Sequence, residues 1–310
     1  MIKHIKHDQI DFKRYNECVN RSMGAYIYAY SWYLDIVAGE WDVLVEDDYV
    51  SVFPLPFRVK FGIKYIYQPV FTQQLGLFST ALQGIAKLNE FISVIPKEFK
   101  LIEINLNKYY VTIKRKNYKL VENLNLELDL AKDYEQIHKQ YSTNLKRNIK
   151  KAKKNELQTS NHIKPEQLIE LFKSNKGNEL NVYSPEDYVR LGRLAYMLLH
   201  KGKASIEGVY NKENTLIAAA LFVLGSTRLI FLFSGLSDEG KEKAAMPFLI
   251  NNFIEKHSNS NKIFDFEGSN NESLARFYRS FGAQEYHYFG LRQYRFPFKQ
   301  IAKLKNKLNS

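Results

Sequence analysis

One cysteine in 310 residues, Cys18, excludes a disulfide framework and any zinc site built from thiolates, and it fits a reducing compartment. Long apolar runs are missing too: the nearest, Leu216 to Leu224, is about half the ~20 residues a membrane span requires. The start, MIKHIKHDQIDF, has no apolar core of a signal peptide, so a cytoplasmic location is expected. The seven histidines show no ligand spacing beyond His4 and His7, which read as an exposed terminus, and no metal site is expected. No Ser-His-Asp arrangement or nucleophilic cysteine motif is visible, and Cys18 reads as packing on a first helix.

What is present is a folded chain with a sizeable core. Hydrophobic residues make up 45% and charged residues 25%, with 21 tyrosines, 21 phenylalanines and 2 tryptophans, which excludes a disordered chain. The length suggests roughly two domains. The formal net charge is +12, and two stretches carry it. His138 to Lys154 holds seven basic residues and no acid; Arg292 to Lys307 holds six and no acid, which leaves the rest of the chain at −1. In the first stretch Tyr141, Leu145, Ile149 and Ala152 make an apolar stripe at helical spacing. Lys146, Lys150 and Lys154 stack at i, i+4 on the other face, with Arg147 and Lys151 alongside, an arrangement whose repulsion no acid on the segment relieves. Either acids elsewhere in the fold neutralise that face, or an anionic ligand lies over it. The tail from residue 297 reads as a short docking helix with a frayed end; its alternative is peripheral contact with an anionic membrane.

One order of elements occurs in both halves. In the first, helices at Gln9–Asn20 and Tyr26–Val37 precede a hairpin of Trp41–Glu46 and Tyr49–Phe53. A strand at Tyr65–Gln68, a helix at Thr80–Val94 and a strand at Leu101–Leu106 follow. In the second, helices open at Pro165 and Pro185, and a hairpin of Ala204–Tyr210 and Leu216–Leu224 follows. Then come a strand at Leu229–Phe233, a helix from about Met246 to Lys256, a strand at Ile263–Phe266, a helix at Glu272–Phe281 and a last strand at Tyr286–Phe296. The repetition predicts two α+β domains, residues 1–132 and 133–310, with the basic helix 138–154 at their joint.

The chemistry concentrates between Leu229 and Gly282. A strand that runs through a Gly- and Lys-bearing loop, SGLSDEGKEKAAMP, into a helix N-terminus presents free backbone N–H groups and a positive dipole end. Gly235 and Gly240 allow close backbone approach there, and Lys241 and Lys243 add charge. Downstream, Asp265 and Glu267 stand at a strand end and Tyr278 lies in a helical apolar stripe. Strand-end solvation and core packing explain these three equally well. Proton-transfer chemistry requires a base and an acid, and Asp265, Glu267 and Tyr278 are candidates by type and place.

The order strand, Gly-containing loop, helix, strand, then a helix with Ala275, Phe277, Tyr278, Phe281 and Gly282 resembles the acyl-transferring GNAT fold. YSTNLKRNIKKAKK together with DFEGSNNESLARFYRSFGA is similar to the FemABX-related branch, and FPLPFRVKFGIKYIYQPVFTQQLGLFS resembles members of the same group. The resemblance implies two tandem GNAT-like domains, each a mixed, mostly antiparallel sheet flanked by helices. It implies Tyr278 as general acid to the leaving group and the loop Ser237–Lys243 as the holder of donor phosphate. Glu242 stands where the family pattern has a second small residue. The implied activity is transfer from acyl-CoA or aminoacyl-tRNA, as substrate rather than tightly bound cofactor. The acceptor would be a phosphate-bearing cell-envelope or polysaccharide precursor held by Lys146, Arg147 and Lys150. The alternative is a non-catalytic protein that binds RNA or nucleotide-linked sugars through the same basic cleft.

Overall fold

The computed structural model describes residues 1–23, 25–81, 85–109, 118–177, 183–268 and 270–296; the lysine-rich tail lies outside the described residues. The chain divides into two compact units, Met1–Asn123 with His287–Ser310, and Leu124–Tyr286. The reading from sequence put the division at 132/133 and gave the last strand to the second unit. The structure places it earlier, within an eleven-residue strand at Lys119–Asp129 whose sequence, KLVENLNLELD, carries no turn signal.

The first unit begins with β1 (Ile2–Ile5), which pairs antiparallel with β2 (Trp41–Glu46). His4 and His7 are therefore not a loose terminus: each hydrogen-bonds through Nε2 at 2.9 Å, His4 to Asp42 and His7 to Asp35. Between these strands lie α1 (Phe12–Arg21), capped by Asp11 accepting from Arg14 N–H, and α2 (Ser31–Val37). Cys18 is buried on α1, and burial pushes its thiol up to about 12. β3 (Ser51–Lys60) runs on through Pro54 and Pro56, where the sequence suggested an end at Phe53. Both prolines pair with β2 residues that need no proline N–H, and on the far edge, between the contacts of β3 with β5 (Phe78–Ser79) and β4 (Ile63–Ile66), the Pro56 carbonyl accepts from Tyr67 N–H. Then α3 (Ile85–Ser93) leads to β6 (Leu101–Asn105), parallel to β4, and β6 pairs antiparallel with the late strand β13 (Gln284–Tyr294).

The second unit repeats that order of pairings. Its sheet runs β7 (Lys119–Asp129), β12 (Ile263–Asp265), β11 (Arg228–Leu236), β10 (Leu216–Leu224), β9 (Ala204–Tyr210), β8 (Gln158–Ser160). Every pair is antiparallel except β11 with β12. Short α4 (Tyr134–Lys139) and α5 (Thr143–Lys154) open the unit, and Ser142 caps α5 by accepting from Leu145 N–H. α6 (Pro165–Phe172) and α7 (Pro185–His200) begin at the expected prolines; Ser184 and Asp187 form a capping box on α7. The crossover from β11 to β12 consists of α8 (Asp238–Glu242) and α9 (Ala245–His257), and α10 (Glu272–Arg279) follows under an Asn271 cap. Leu145, Ile149 and Ala152 of α5 join Leu249, Phe253 and Ile254 of α9 in one core, as the 3.6-residue periodicity required. Phe222 of β10 and Phe253 stack at 3.8 Å beneath them.

His257, at the end of α9, packs on Phe253 with ring centroids 4.4 Å apart. Burial, then Lys256 and Lys262, lower its pKa from 6.5 to about 4. Its folded pKa is depressed, so its contribution to stability is present above the unfolded value and is lost as pH falls from about 6.5 toward 4. Wild type should lose about 1 kcal/mol between pH 7 and pH 5 through this group, given its partial exposure. His257→Phe should flatten that slope in denaturant titrations at the two pH values; an unchanged slope would exclude the assignment.

Candidate functional site

Two parallel strands define the site by where they stop pairing. β11 and β12 match over three positions, Arg228 with Ile263 to Ile230 with Asp265. β12 then ends, and β11 continues six residues further to Leu236. At the root of the pair, Arg228 bridges Asp265 at 2.6 Å and also Glu127 of β7. Asn125 donates to Asp265 at 3.0 Å, and the Glu267 N–H donates to it at 2.8 Å. Asp265 has no exposed surface; burial raises its pKa, against the opposing charge of Arg228.

Beyond the root lies a cleft of about 620 Å³ within the second unit. Phe231, Ser234 and Leu236 of β11 form part of its wall, Tyr278 and Phe277 of α10 another, and Asn148 and Lys151 of α5 a third. Tyr278 is 8% exposed and its ring stacks on Phe266 at 4.9 Å. Its hydroxyl makes no hydrogen bond to another described residue. Burial, then the Glu267 carboxylate, push its pKa far above that of an ordinary phenol, so it holds its proton. Glu267 adopts a left-handed backbone conformation (φ 54°), uncommon for a residue other than glycine, and its charge also reaches Tyr183. Tyr183, in the same wall, is pushed up to about 12, chiefly by burial.

The mouth of the cleft is the turn between α8 and α9. Ala244 takes the left-handed conformation (φ 57°) that lets the chain leave α8 and start α9 within two residues. The N–H groups of Ala245 and Met246 have no acceptor among the described residues, and Pro247 has no N–H to satisfy. A second hollow, of about 540 Å³, adjoins the cleft and shares Asn148 and Phe277 with it. Ser142, Asn144 and Arg276 line it, and Arg276 has no ion pair among the described residues.

The structure sorts the expected site residues. Tyr278, Gly240 and Lys241 line the cleft, and Glu267 acts on it electrostatically. Asp265 does not; the ion network encloses it. Lys146, Arg147 and Lys150 lie on α5 but not in the wall of either hollow. Lys146 donates to the carbonyl of Lys139 and Arg147 to the side chain of Asn144. Gly235 is a packing glycine: a Cβ there would stand 2.9 Å from the Phe172 nitrogen of α6. Gly240 is tighter, with a Cβ 2.2 Å from the Ile217 carbonyl oxygen. Ser237 caps α8 by accepting from Gly240 N–H, and Lys241 and Lys243 pair with Asp238 and Glu239. The N–H groups without an acceptor thus sit after Ala244, a few residues beyond the glycines that suggested such a site.

Lys151, Asn148, Tyr183 and Asn175 also line the cleft and were not singled out from sequence. Lys151 was within reach: one helical turn beyond Asn148, it flanks the apolar stripe on the side that faces α10. Tyr183 had no signal, because it follows a stretch without periodicity.

No known protein-family model matches the chain, and no curated protein does. Solved structures do. FemX superposes with a TM-score of 0.66 at 11% identity, over 93% of this chain and 96% of that one. The C-terminal domain of a protein assigned as a lysylphosphatidylglycerol synthetase in Agrobacterium fabrum gives 0.56 at 8%, over 91% of each. The L-PGS of Bacillus licheniformis gives 0.50 at 12%, over 85% of this chain and 88% of that one. The chain shares the fold of FemX and of these two proteins. Within the described residues, no helix of this FemX-like chain is long and apolar enough to cross a membrane.

Two substitutions separate framework from chemistry. Gly240→Ala should destabilise the protein by about 2 kcal/mol, because the Ile217 carbonyl cannot yield. Equal urea midpoints for the variant and wild type would refute the packing role. Asp265→Ala should cost about 3–5 kcal/mol by taking from the buried Arg228 its fully buried carboxylate partner. A fully stable variant would show that Asp265 is not part of the framework.

Proposed function

We propose that this chain is an acyl- or aminoacyltransferase whose reaction takes place in the cleft beyond the β11–β12 pairing. The observation that carries the reading is Tyr278: a buried phenol with no hydrogen-bond partner, held protonated, facing a cleft whose mouth is a helix N-terminus with unpaired N–H groups. A group in that state suits protonation of a leaving thiolate or alkoxide. The Ala245 and Met246 N–H groups, with Lys151 at the rim, suit a donor phosphate, as acyl-CoA and aminoacyl-tRNA both carry.

The acceptor's amine or hydroxyl enters from the adjoining hollow, where Arg276 meets a phosphate on the acceptor. Glu267 takes the proton released as the acceptor attacks the donor carbonyl, and Tyr278 gives its proton to the departing group. The bond to the leaving oxygen or sulfur breaks as the new amide or ester forms. One compared protein is named for joining lysine to phosphatidylglycerol, a phosphate-bearing acceptor of the proposed kind. The matching strand orders of the two units support a tandem pair of GNAT-like domains, the second carrying the chemistry. A cytoplasmic setting and a cell-envelope or polysaccharide acceptor complete the proposal.

Transfer assays with acetyl-CoA and with charged tRNA, against amine and hydroxyl acceptors bearing phosphate, test it. Tyr278→Phe should lower kcat about 100-fold with little change in KM or thermal midpoint, since the lost hydroxyl makes no hydrogen bond. Lys151→Glu should raise the donor KM more than the triple reversal of Lys146, Arg147 and Lys150. Retention of ligand with steep salt dependence and no turnover from either donor would replace this reading with that of a binding protein.

A further inference from the structure

The tip of the β3–β4 hairpin in the first unit is built against the rules that govern such turns. Lys60 pairs with Ile63, leaving Phe61 and Gly62 as a two-residue loop, both at positive φ (51° and 73°). Such loops favour Asn, Asp or Gly, and a bulky aromatic in that conformation is an outlier. Phe61 is nevertheless 90% exposed. The fold gains nothing from the ring, and water disfavours it.

The surroundings point to one occupant. Val59 is 51% exposed beside it, and Phe61, Ile63, Tyr65 and Leu101 line a shallow hollow of about 250 Å³ with Lys60 at its rim. The Lys60 ammonium lies 5.6 Å from the Phe61 ring centroid. Register carries the same edge across the sheet: Tyr65 sits beside Leu101, and Leu101 opposite Tyr294. Two residues on, Phe296 is 72% exposed. The cations on this edge are Arg58, Lys60, Lys64 and Lys100, with Arg295 bonded to the carbonyls of Ile95, Pro96 and Phe99. The acids are Glu98, paired with Lys64 at 3.1 Å, and Glu103, which accepts from Tyr294. The sequence after Phe296 adds Lys299, Lys303, Lys305 and Lys307 and no acid.

We infer that this edge of the first unit docks on an anionic phospholipid surface, with Phe61 inserted at the headgroup level and the surrounding lysines on lipid phosphates. Exposed aromatics ringed by lysines combine the apolar burial and the electrostatic attraction that hold a protein at such an interface. A nucleic acid would not draw in Val59 and the hollow, and a protein partner would not require so one-sided a charge. The inference does not rest on the chemistry of the second unit.

Co-sedimentation of the full chain with vesicles tests it, using phosphatidylcholine alone and phosphatidylcholine with phosphatidylglycerol. Wild type should partition to the anionic vesicles only. Phe61→Asn places in the turn a residue that favours it, so the fold should keep or raise its thermal midpoint while partitioning falls about tenfold. Lys60→Ser and Lys100→Ser should each lower it about fivefold. Equal binding by Phe61→Asn, equal binding to both vesicle types, or no binding by wild type would overturn the proposal. So would sedimentation velocity showing that Phe61→Asn dissolves a dimer, which would make the edge a contact between copies.

Discussion

The Arg228 guanidinium, lodged between Asp265 and Glu127, is the constraint on which the second unit depends. It ties three adjacent strands together where β11 and β12 meet. A buried charge set of this kind is stable only while every partner stays in place, so the strands cannot slide or close further along. The pairing is therefore firm for three positions and then absent. The space beside the part of β11 that runs on past β12 is the cleft.

That geometry assigns different work to residues that look alike in sequence. Asp265 and Glu267 are two positions apart, yet one is sealed in the network and the other, turned outward by a left-handed backbone, bears on Tyr278 and Tyr183. The Asp265–Glu267 hydrogen bond couples them: the framework carboxylate holds the backbone of the one whose charge reaches the cleft tyrosines. Likewise the tight fit of Gly240 against Ile217 fixes α8, and α8 fixes the point at which Ala244 turns the chain into α9. The unpaired amides at the start of α9 are positioned by packing several residues upstream of themselves.

The first unit shows the opposite economy of structure at its hairpin tip. Phe61 is strained, exposed and unsupported by packing, and it stands among cations. Where a fold keeps a feature that costs stability, the compensation lies outside the fold, in something the protein touches.

Sequence alone determined the periodic elements: the apolar stripe of α5, the proline-opened α6 and α7, the β9–β10 hairpin, and the order of strands and helices that this chain shares with the FemX fold. These follow from local propensity and from burying one face. Sequence also marked Tyr278 and the loop before α9. It did not reveal β7 or β8, because polar alternation in KLVENLNLELD and a three-residue strand carry too little pattern, and so the division between units was misplaced. Only the tertiary structure decided which cation faces the cleft. Lys150 and Lys151 are chemically the same, and a rotation of about 100° about the helix axis separates a solvent-facing lysine from one in the wall of the site.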